Sequence, residues 1–234
     1  MPKLYLIPSL LAPDGHSHLA PITKSVVQDL NVFIVERSRT ARRFLRSIVP
    51  DYPIDSTTII ELDKHDFEVS VGEIKNLLKT GVNIGFMSEA GLPCIADPGA
   101  RIVNLARFMK YEIKPLSGPS SIMLGLMASG MNGQQFCFRG YLPIKTDQLN
   151  TVIRDMVQRI SKSNETQIFI ETPYRNKKIL TALKKQVPAM FYLSIGSNLT
   201  GSAEKVITKQ IKHWHADELD KEPCIFCLGR LIEY

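Results

Sequence analysis

Three acidic residues sit where loop chemistry is expected. Glu36 follows the apolar run Asn31–Val35, Glu89 follows the apolar run Val82–Met87, and Asp97 lies in the glycine- and proline-rich stretch behind Glu89. A carboxylate at a strand end can accept a proton from a hydroxyl nucleophile, or it can pin a loop by accepting backbone N–H donors. The loop Ser88-Glu89-Ala90-Gly91 through Asp97-Pro98, and a second loop Ser117-Gly118-Pro119-Ser120-Ser121, have one design. Gly91, Gly99 and Gly118 remove side chains where a ligand could approach the backbone, and Pro93, Pro98 and Pro119 stiffen the path. Small hydroxyls and free amides at a helix start suit a polar small molecule, although the same residues also serve to turn a chain. Behind Glu36, Arg39, Arg42, Arg43 and Arg46 recur at helical spacing, a stripe that can contact phosphates or stand as a solvated face.

Other chemistries lack their residues. No G-x-x-x-x-G-K-[ST], no G-x-G-x-x-G after the first strand and no G-x-S-x-G is present. His16 and His18 are two apart without a cysteine or acidic cluster, so no metal site is assigned. Cys94, Cys137, Cys224 and Cys227 form no ligand pattern, and the last pair reads as core thiols on a strand. These residues describe a site for a polar, partly flat small molecule, as compatible with a hydrolase as with a transferase.

The elements that must position these loops alternate. Strands are expected at Leu4–Ile7, Asn31–Val35, Thr58–Leu62, Val82–Met87 and Tyr111–Leu116. Helices are expected to open near Pro21, behind Glu36, over the stretch closed by Gly81, and behind Pro98. Short connections between them predict a parallel sheet covered on both faces, with loops at the strand ends. Residues 9–20 read as a mobile loop with few anchors. After the second loop the pattern changes. The nearly all-apolar Ile122–Ala128 predicts a buried helix. Strands follow at Phe136–Phe138, Gln167–Ile170, Met190–Ile195, Glu204–Ile211, Lys212–His215 and Pro223–Arg230, with helices over 147–162 and up to Lys185. The second half is expected to be a mixed sheet, giving two lobes, 1–116 and 117–234, with a ligand cleft between them.

The chain has 234 residues, an apolar fraction of 44% and a formal net charge of +6, enough for a full core without disulfides and compatible with a polyanionic partner. No signal peptide and no bilayer-length apolar run is legible, which predicts a cytoplasmic protein with no membrane association.

Four blocks, MSEAGLPCIADPGARIV, PLSGPSSIMLGLMASG, FCFRGYLPIK and FIETPYR, occur in the order typical of the tetrapyrrole methylase-like superfamily of S-adenosylmethionine-dependent methyltransferases. The chain resembles that superfamily, and within it the small-subunit rRNA ribose 2′-O-methyltransferases. The resemblance implies two α/β lobes, S-adenosyl-L-methionine as cofactor, a homodimer, and the small ribosomal subunit or its rRNA as partner. Carried over, the cofactor contacts are Pro8, Ser88, Glu89, Ala90, Gly91, Asp97, Pro98, Ser117, Gly118, Pro119, Ser120, Ser121, Tyr141, Leu142, Leu199 and Thr200. Glu36 and Glu89 are the candidates to receive the hydroxyl proton, with Arg39 orienting a phosphate or that carboxylate; a structural ion pair between Glu36 and a nearby arginine is the competing role. The chain departs from these relatives at Pro8-Ser9-Leu10-Leu11 after the first strand, at Glu36-Arg37-Ser38-Arg39, at Glu89 and at Tyr174. Because the larger changes lie on the side that the resemblance assigns to the substrate, two alternatives stand beside rRNA methylation: a methyltransferase for a tetrapyrrole or other small molecule, and a non-catalytic nucleotide- or RNA-binding module.

Overall fold

The structure, a computed structural model, describes residues 1–62, 67–219 and 221–232, with no account of the side chains of 67–69. The chain divides into two compact units, Met1–Ser120 and Ser121–Tyr234.

In the first unit five short strands, β1 (Lys3–Leu6), β2 (Val32–Val35), β3 (Thr58–Glu61), β4 (Ile84–Met87) and β5 (Glu112–Pro115), lie in the order β3-β2-β4-β1-β5. Every pairing is parallel, as the alternating pattern requires. Four helices, α1 (Pro21–Gln28), α2 (Ser38–Ile48), α3 (Phe67–Lys79) and α4 (Gly99–Phe108), supply the crossovers. Two separate apolar clusters show that both faces are covered. Ile74 and Leu78 of α3 join Ile102 and Ala106 of α4 on one, and Val27 of α1 joins Phe44 and Leu45 of α2 on the other. All four residues of β4 are buried, so its sequence is a continuous apolar run rather than an alternation. Val82 is 41% exposed and precedes β4, so the strand is shorter than the apolar run. Gly81, at φ +70°, takes the left-handed conformation that closes α3.

The segment expected to be a loosely held loop is anchored instead. Ala12 and Gly15 are buried, Leu10 and Leu19 pack against the α1/α2 cluster, and Gly15–His18 forms a 3₁₀ turn.

The second unit begins with α5 (Ser121–Ser129) and continues through β6 (Phe136–Tyr141), α6 (Thr146–Ser163), β7 (Thr166–Glu171), α7 (Pro173–Gln186), β8 (Tyr192–Ser197), β9 (Lys205–Gln210) and β10 (Cys224–Gly229). The strand order is β6-β7-β10-β8-β9; β6 and β7 are parallel and the other pairs antiparallel, a mixed sheet as expected. Its main core joins α6 and α7 to the sheet, with Phe169 and Phe226 stacked at 4.9 Å. On α5, Gly125 allows close approach to β10: a Cβ there would lie 2.9 Å from the Ile225 side chain.

Two expectations are corrected here. Lys212–His215 is not a strand. Ile211–His213 is a 3₁₀ turn that presents buried Trp214, whose indole N–H donates to the Leu193 carbonyl at 2.9 Å. Helix α5, apolar on all sides, is not wholly buried: Met123 and Met127 are 41% and 78% exposed. Cys224 and Cys227 are buried core thiols, and their three-residue spacing on β10 points them to opposite faces of the sheet, where they cannot share a metal. Burial pushes the Cys227 thiol up to about 12.

Candidate functional site

Parallel strands end on one edge, so β1, β2, β4 and β5 deliver Pro8-Ser9, Glu36, Ser88-Glu89 and Leu116-Ser117 to the same side of the first unit. The loops there are bound to one another through their backbones. Ser9 and Gly91 exchange N–H···O bonds of 2.9 and 3.2 Å, and the Ser9 hydroxyl donates to the Ser88 carbonyl at 2.9 Å. Gly91 has φ +70°, which glycine adopts without strain. Gly118 is held against Pro8 so closely that a Cβ at that position would lie 2.2 Å from the proline Cβ. Pro8, Ser88–Gly91 and Ser117–Pro119 are therefore brought together, and Ser9, absent from the sequence-derived set, is the tie between the first two. The legible signal was its small hydroxyl directly behind the strand-ending proline.

Asp97 is a loop anchor. One carboxylate oxygen accepts from the Cys94 amide at 2.8 Å and the other from the Gly99 amide at 2.7 Å, at the start of α4. Burial raises its pKa, the amides oppose that rise, and the negative charge of Glu36 adds to it. Between these bonds Cys94 and Ala96 stand at φ 69° and 64°, a conformation unusual for residues with a side chain. Burial and the neighbouring Asp97 push the Cys94 thiol up to about 11, so it stays protonated at neutral pH. Pro98 is the residue just before α4.

The two proposed proton acceptors meet at this edge. Glu36 Oε2 accepts from the Glu89 backbone amide at 3.0 Å, while the Glu89 side chain pairs with Arg37 at 3.1 Å. Arg37 is thus the arginine that meets Glu89. Both side chains of that pair are open to solvent, which limits its contribution to about 1 kcal/mol or less. Arg39 is exposed in the first turn of α2, and among the described residues no carboxylate is paired with it. Arg42, Arg43 and Arg46 are exposed on the same helix, opposite buried Ala41, Phe44 and Leu45. Glu61 accepts from the Ser38 amide at 2.8 Å and so steadies the first turn of α2.

In the second unit Tyr141 is exposed and Leu142 is buried, at the end of β6. Arg175 fixes this segment: its Nη2 donates to the carbonyls of Leu142 and Pro143 at 2.8 and 3.1 Å and lies 3.2 Å from Glu171 Oε1. Burial raises the pKa of Glu171, and the Arg175 charge and the amides of Thr172 and Leu142 moderate the rise. Both residues lie inside the block FIETPYR, but nothing in their spacing revealed the carbonyls they serve. Leu199 and Thr200 are buried behind β8; Thr200 has φ 72° and its amide donates to Glu204 at 2.7 Å. Its hydroxyl is buried with no hydrogen-bond partner among the described residues. A buried hydroxyl without a partner is costly, and a polar ligand would satisfy it. Ser120 closes the first unit and Ser121 opens α5. Among the described residues no group of three or more His, Cys, Asp or Glu is gathered to hold a metal ion.

Comparison with known proteins decides the family. The profile of the tetrapyrrole (corrin/porphyrin) methylases matches residues 4–214. The chain belongs to this family. It is an S-adenosyl-L-methionine-dependent methyltransferase by class, as its sequence motifs implied. Curated relatives include proteins named ribosomal RNA small subunit methyltransferase I. That of Bacillus subtilis is 29% identical over 97% of this chain and 75% of its own length. That of Vibrio cholerae is 31% identical over 74% of this chain and 57% of its own length. That of Buchnera aphidicola is 29% identical over 87% of this chain and 67% of its own length, so the chain spans about two thirds of such relatives. Solved structures of the same fold include the methyltransferase CobJ, with a TM-score of 0.68 at 13% identity over 98% of this chain and 95% of that one. They also include a Thermus thermophilus uroporphyrin-III C-methyltransferase complexed with S-adenosyl homocysteine, with a TM-score of 0.60 at 12% identity over 97% of each chain.

Proposed function

We propose that this methyltransferase modifies a ribose 2′-hydroxyl of small-subunit rRNA. The observation that carries the reading is the placement of exposed, arginine-rich α2 directly behind Glu36, at the sheet edge where Glu36 and Glu89 meet. The names of the relatives aligned over most of the chain support small-subunit rRNA as the molecule modified. A ribose hydroxyl is a poor nucleophile, and a carboxylate at its side can take its proton as the new O–C bond forms. Glu36 and Glu89 are proposed for that task, with Arg39 orienting a phosphate. The sulfonium of S-adenosyl-L-methionine supplies the methyl group on a good leaving group. The chain's part is to hold donor and acceptor in line and to keep water out.

The residues present suit this cofactor. Closely packed loops at Pro8, Ser88–Gly91 and Gly118–Pro119 leave little room for side chains, as Gly118 shows, with Ser117 and Ser120 proposed beside them, and buried Thr200 offers a hydroxyl in need of a partner. Asp97 and Pro98 are proposed to shape the loop, while Ser121, Tyr141, Leu142 and Leu199 are proposed as further contacts. A homodimer is proposed from the apolar face that α5 leaves open at Met123 and Met127. Among the described residues no helix is long and apolar enough to cross a membrane, and a cytoplasmic location accords with an rRNA acceptor.

The deciding experiment is calorimetric titration with S-adenosyl-L-methionine, followed by labelled-methyl transfer to purified small ribosomal subunits and nuclease mapping of the label. Label on a ribose is the expected result. Cofactor binding with transfer only to a porphyrinoid would redirect the acceptor to a small molecule, and absence of cofactor binding would leave a non-catalytic module.

A further inference from the structure

The second unit carries a basic groove that none of the site residues above uses. Helices α6 and α7 pack into the same core, and between their outer faces lies an open groove of about 450 Å³. Thr146, Asn150, Lys177, Lys178, Thr181 and Lys185 contribute its polar lining. The helices are cross-linked at the groove by Gln186 Nε2, which donates to Asn150 Oδ1 at 2.7 Å.

The charge of this groove is one-sided. Helix α7 holds Arg175, Lys177, Lys178, Lys184 and Lys185 and no acid. Two of these cations are committed elsewhere, Arg175 to Glu171 and the Leu142 and Pro143 carbonyls, and Lys184 to the Trp214 carbonyl at 2.5 Å. Lys177 stands 3.4 Å from Asp217 in a pair that is largely solvent-exposed on both sides. Among the described residues no carboxylate pairs with Lys178 or Lys185, and no acidic residue lines the groove. Lys178, Thr181 and Lys185 are three and four residues apart, so they form one stripe along α7.

We infer that this groove binds the sugar-phosphate backbone of RNA, as a second anchoring surface separate from the arginines of α2. Ammonium groups neutralise phosphates as point charges, the Thr146 hydroxyl and the Asn150 side-chain N–H can donate to phosphate or ribose oxygens, and the Thr181 hydroxyl, which donates to the Lys177 carbonyl at 2.9 Å, can accept from a ribose hydroxyl. Contacts of this kind fix the register of a nucleic acid without reading its sequence. The inference rests on rRNA as the acceptor.

The test uses the full chain and fluorescently labelled, protein-free small-subunit rRNA, with affinity measured by anisotropy across a salt series for the wild type and the K178Q/K185Q double variant. Loss of two phosphate contacts lowers the magnitude of the slope of log affinity against log salt by about 1.5 and weakens binding roughly tenfold near 0.1 M salt. S-adenosyl-L-methionine affinity, measured by calorimetry on the same preparations, is expected to stay unchanged, which establishes that the variant folds. Unchanged RNA affinity and slope in the variant, with a wild type that binds, overturns the groove alone. A wild type that binds the cofactor and no RNA overturns the rRNA reading and the groove together. Unchanged binding to free rRNA with weakened binding to whole subunits assigns the groove to an acidic protein face and overturns the phosphate assignment.

Discussion

The two units solve the same problem, holding loops at a sheet edge, by different means. In the first, short-range contacts do the holding: Ser9 and Gly91 exchange backbone bonds, Gly118 rests on Pro8, and the short Asp97 side chain gathers two amides of its own loop. In the second, a long charged side chain reaches across elements, as Arg175 holds two carbonyls from α7 while buried Glu171 restrains it. The difference lies in the residues at the strand ends rather than in strand direction. Parallel strands bring adjacent loops to one edge, where they can bond directly. In the second unit Arg175 also joins the ends of two parallel neighbours, β6 and β7, but there a long side chain makes the link. The first edge should therefore be sensitive to added bulk and to loss of a short anchor, and the second to loss of a long charged link.

Gly118→Val probes bulk and has the largest expected effect. The added side chain cannot coexist with Pro8, and the rearrangement is expected to cost about 1–3 kcal/mol of stability. S-adenosyl-L-methionine affinity is expected to fall more than tenfold, and thermal unfolding together with calorimetry reads both. Wild-type affinity in this variant would mean that the Pro8–Gly118 contact is not part of the cofactor site.

Asp97→Ala removes the short side-chain anchor of the same edge. The Cys94 and Gly99 amides lose their acceptor, at a cost of about 1–3 kcal/mol shared between fold and loop, less whatever water recovers. Cofactor affinity is expected to fall about tenfold, while Asp97→Asn, which keeps one acceptor oxygen, retains part of it. An alanine variant with normal affinity and stability would remove Asp97 from the site.

How much of this was legible depends on whether the contact is local. Strands β1–β5 announce themselves because each apolar run ends in glycine, proline or a charged cluster, and the parallel order follows from the intervening helices. The loops around Glu89 and Ser117 stood out for the same reason. What stayed hidden was joined by the fold. Arg37 meets Glu89 because β2 and β4 are neighbours, and Trp214 turns Ile211–His213 into a 3₁₀ turn through a bond to β8. The apolar composition of α5 suggested complete burial, but a helix beside a sheet needs only one covered face, and Met123 and Met127 lie on the other. Arg175 was inside a recognised block, yet the carbonyls it holds belong to a loop 32 and 33 residues away.

The basic surface on the first unit offers a smaller effect. Arg42→Glu reverses one exposed charge on α2 and is expected to weaken rRNA binding several-fold, about 1 kcal/mol, with cofactor affinity unchanged. Anisotropy with labelled rRNA measures it. Unchanged RNA affinity would count against α2 as a phosphate contact and would leave the lysines of α7 as the surface to explain any binding.

Glu171→Gln gives the smallest expected change and the sharpest test of the second device. Burial raises the folded-state pKa of Glu171 above its unfolded value, so protonation favours the fold. Its stabilising contribution is complete below the unfolded pKa and is lost as pH rises through the folded one. The wild type therefore carries this cost at neutral pH, and the glutamine variant, neutral throughout, does not. Urea unfolding should find the variant at least as stable as the wild type at pH 7.5, and the difference should shrink as the pH drops toward the unfolded carboxylate value. Cofactor affinity should move the other way, because a neutral partner restrains Arg175 less firmly and loosens its hold on Leu142 and Pro143. A variant that kept the wild-type pH dependence would show that another group titrates there. One that kept wild-type stability trends and also wild-type cofactor affinity would show that Arg175 holds the loop without needing the carboxylate, and the contrast between the two units would then rest on the arginine alone.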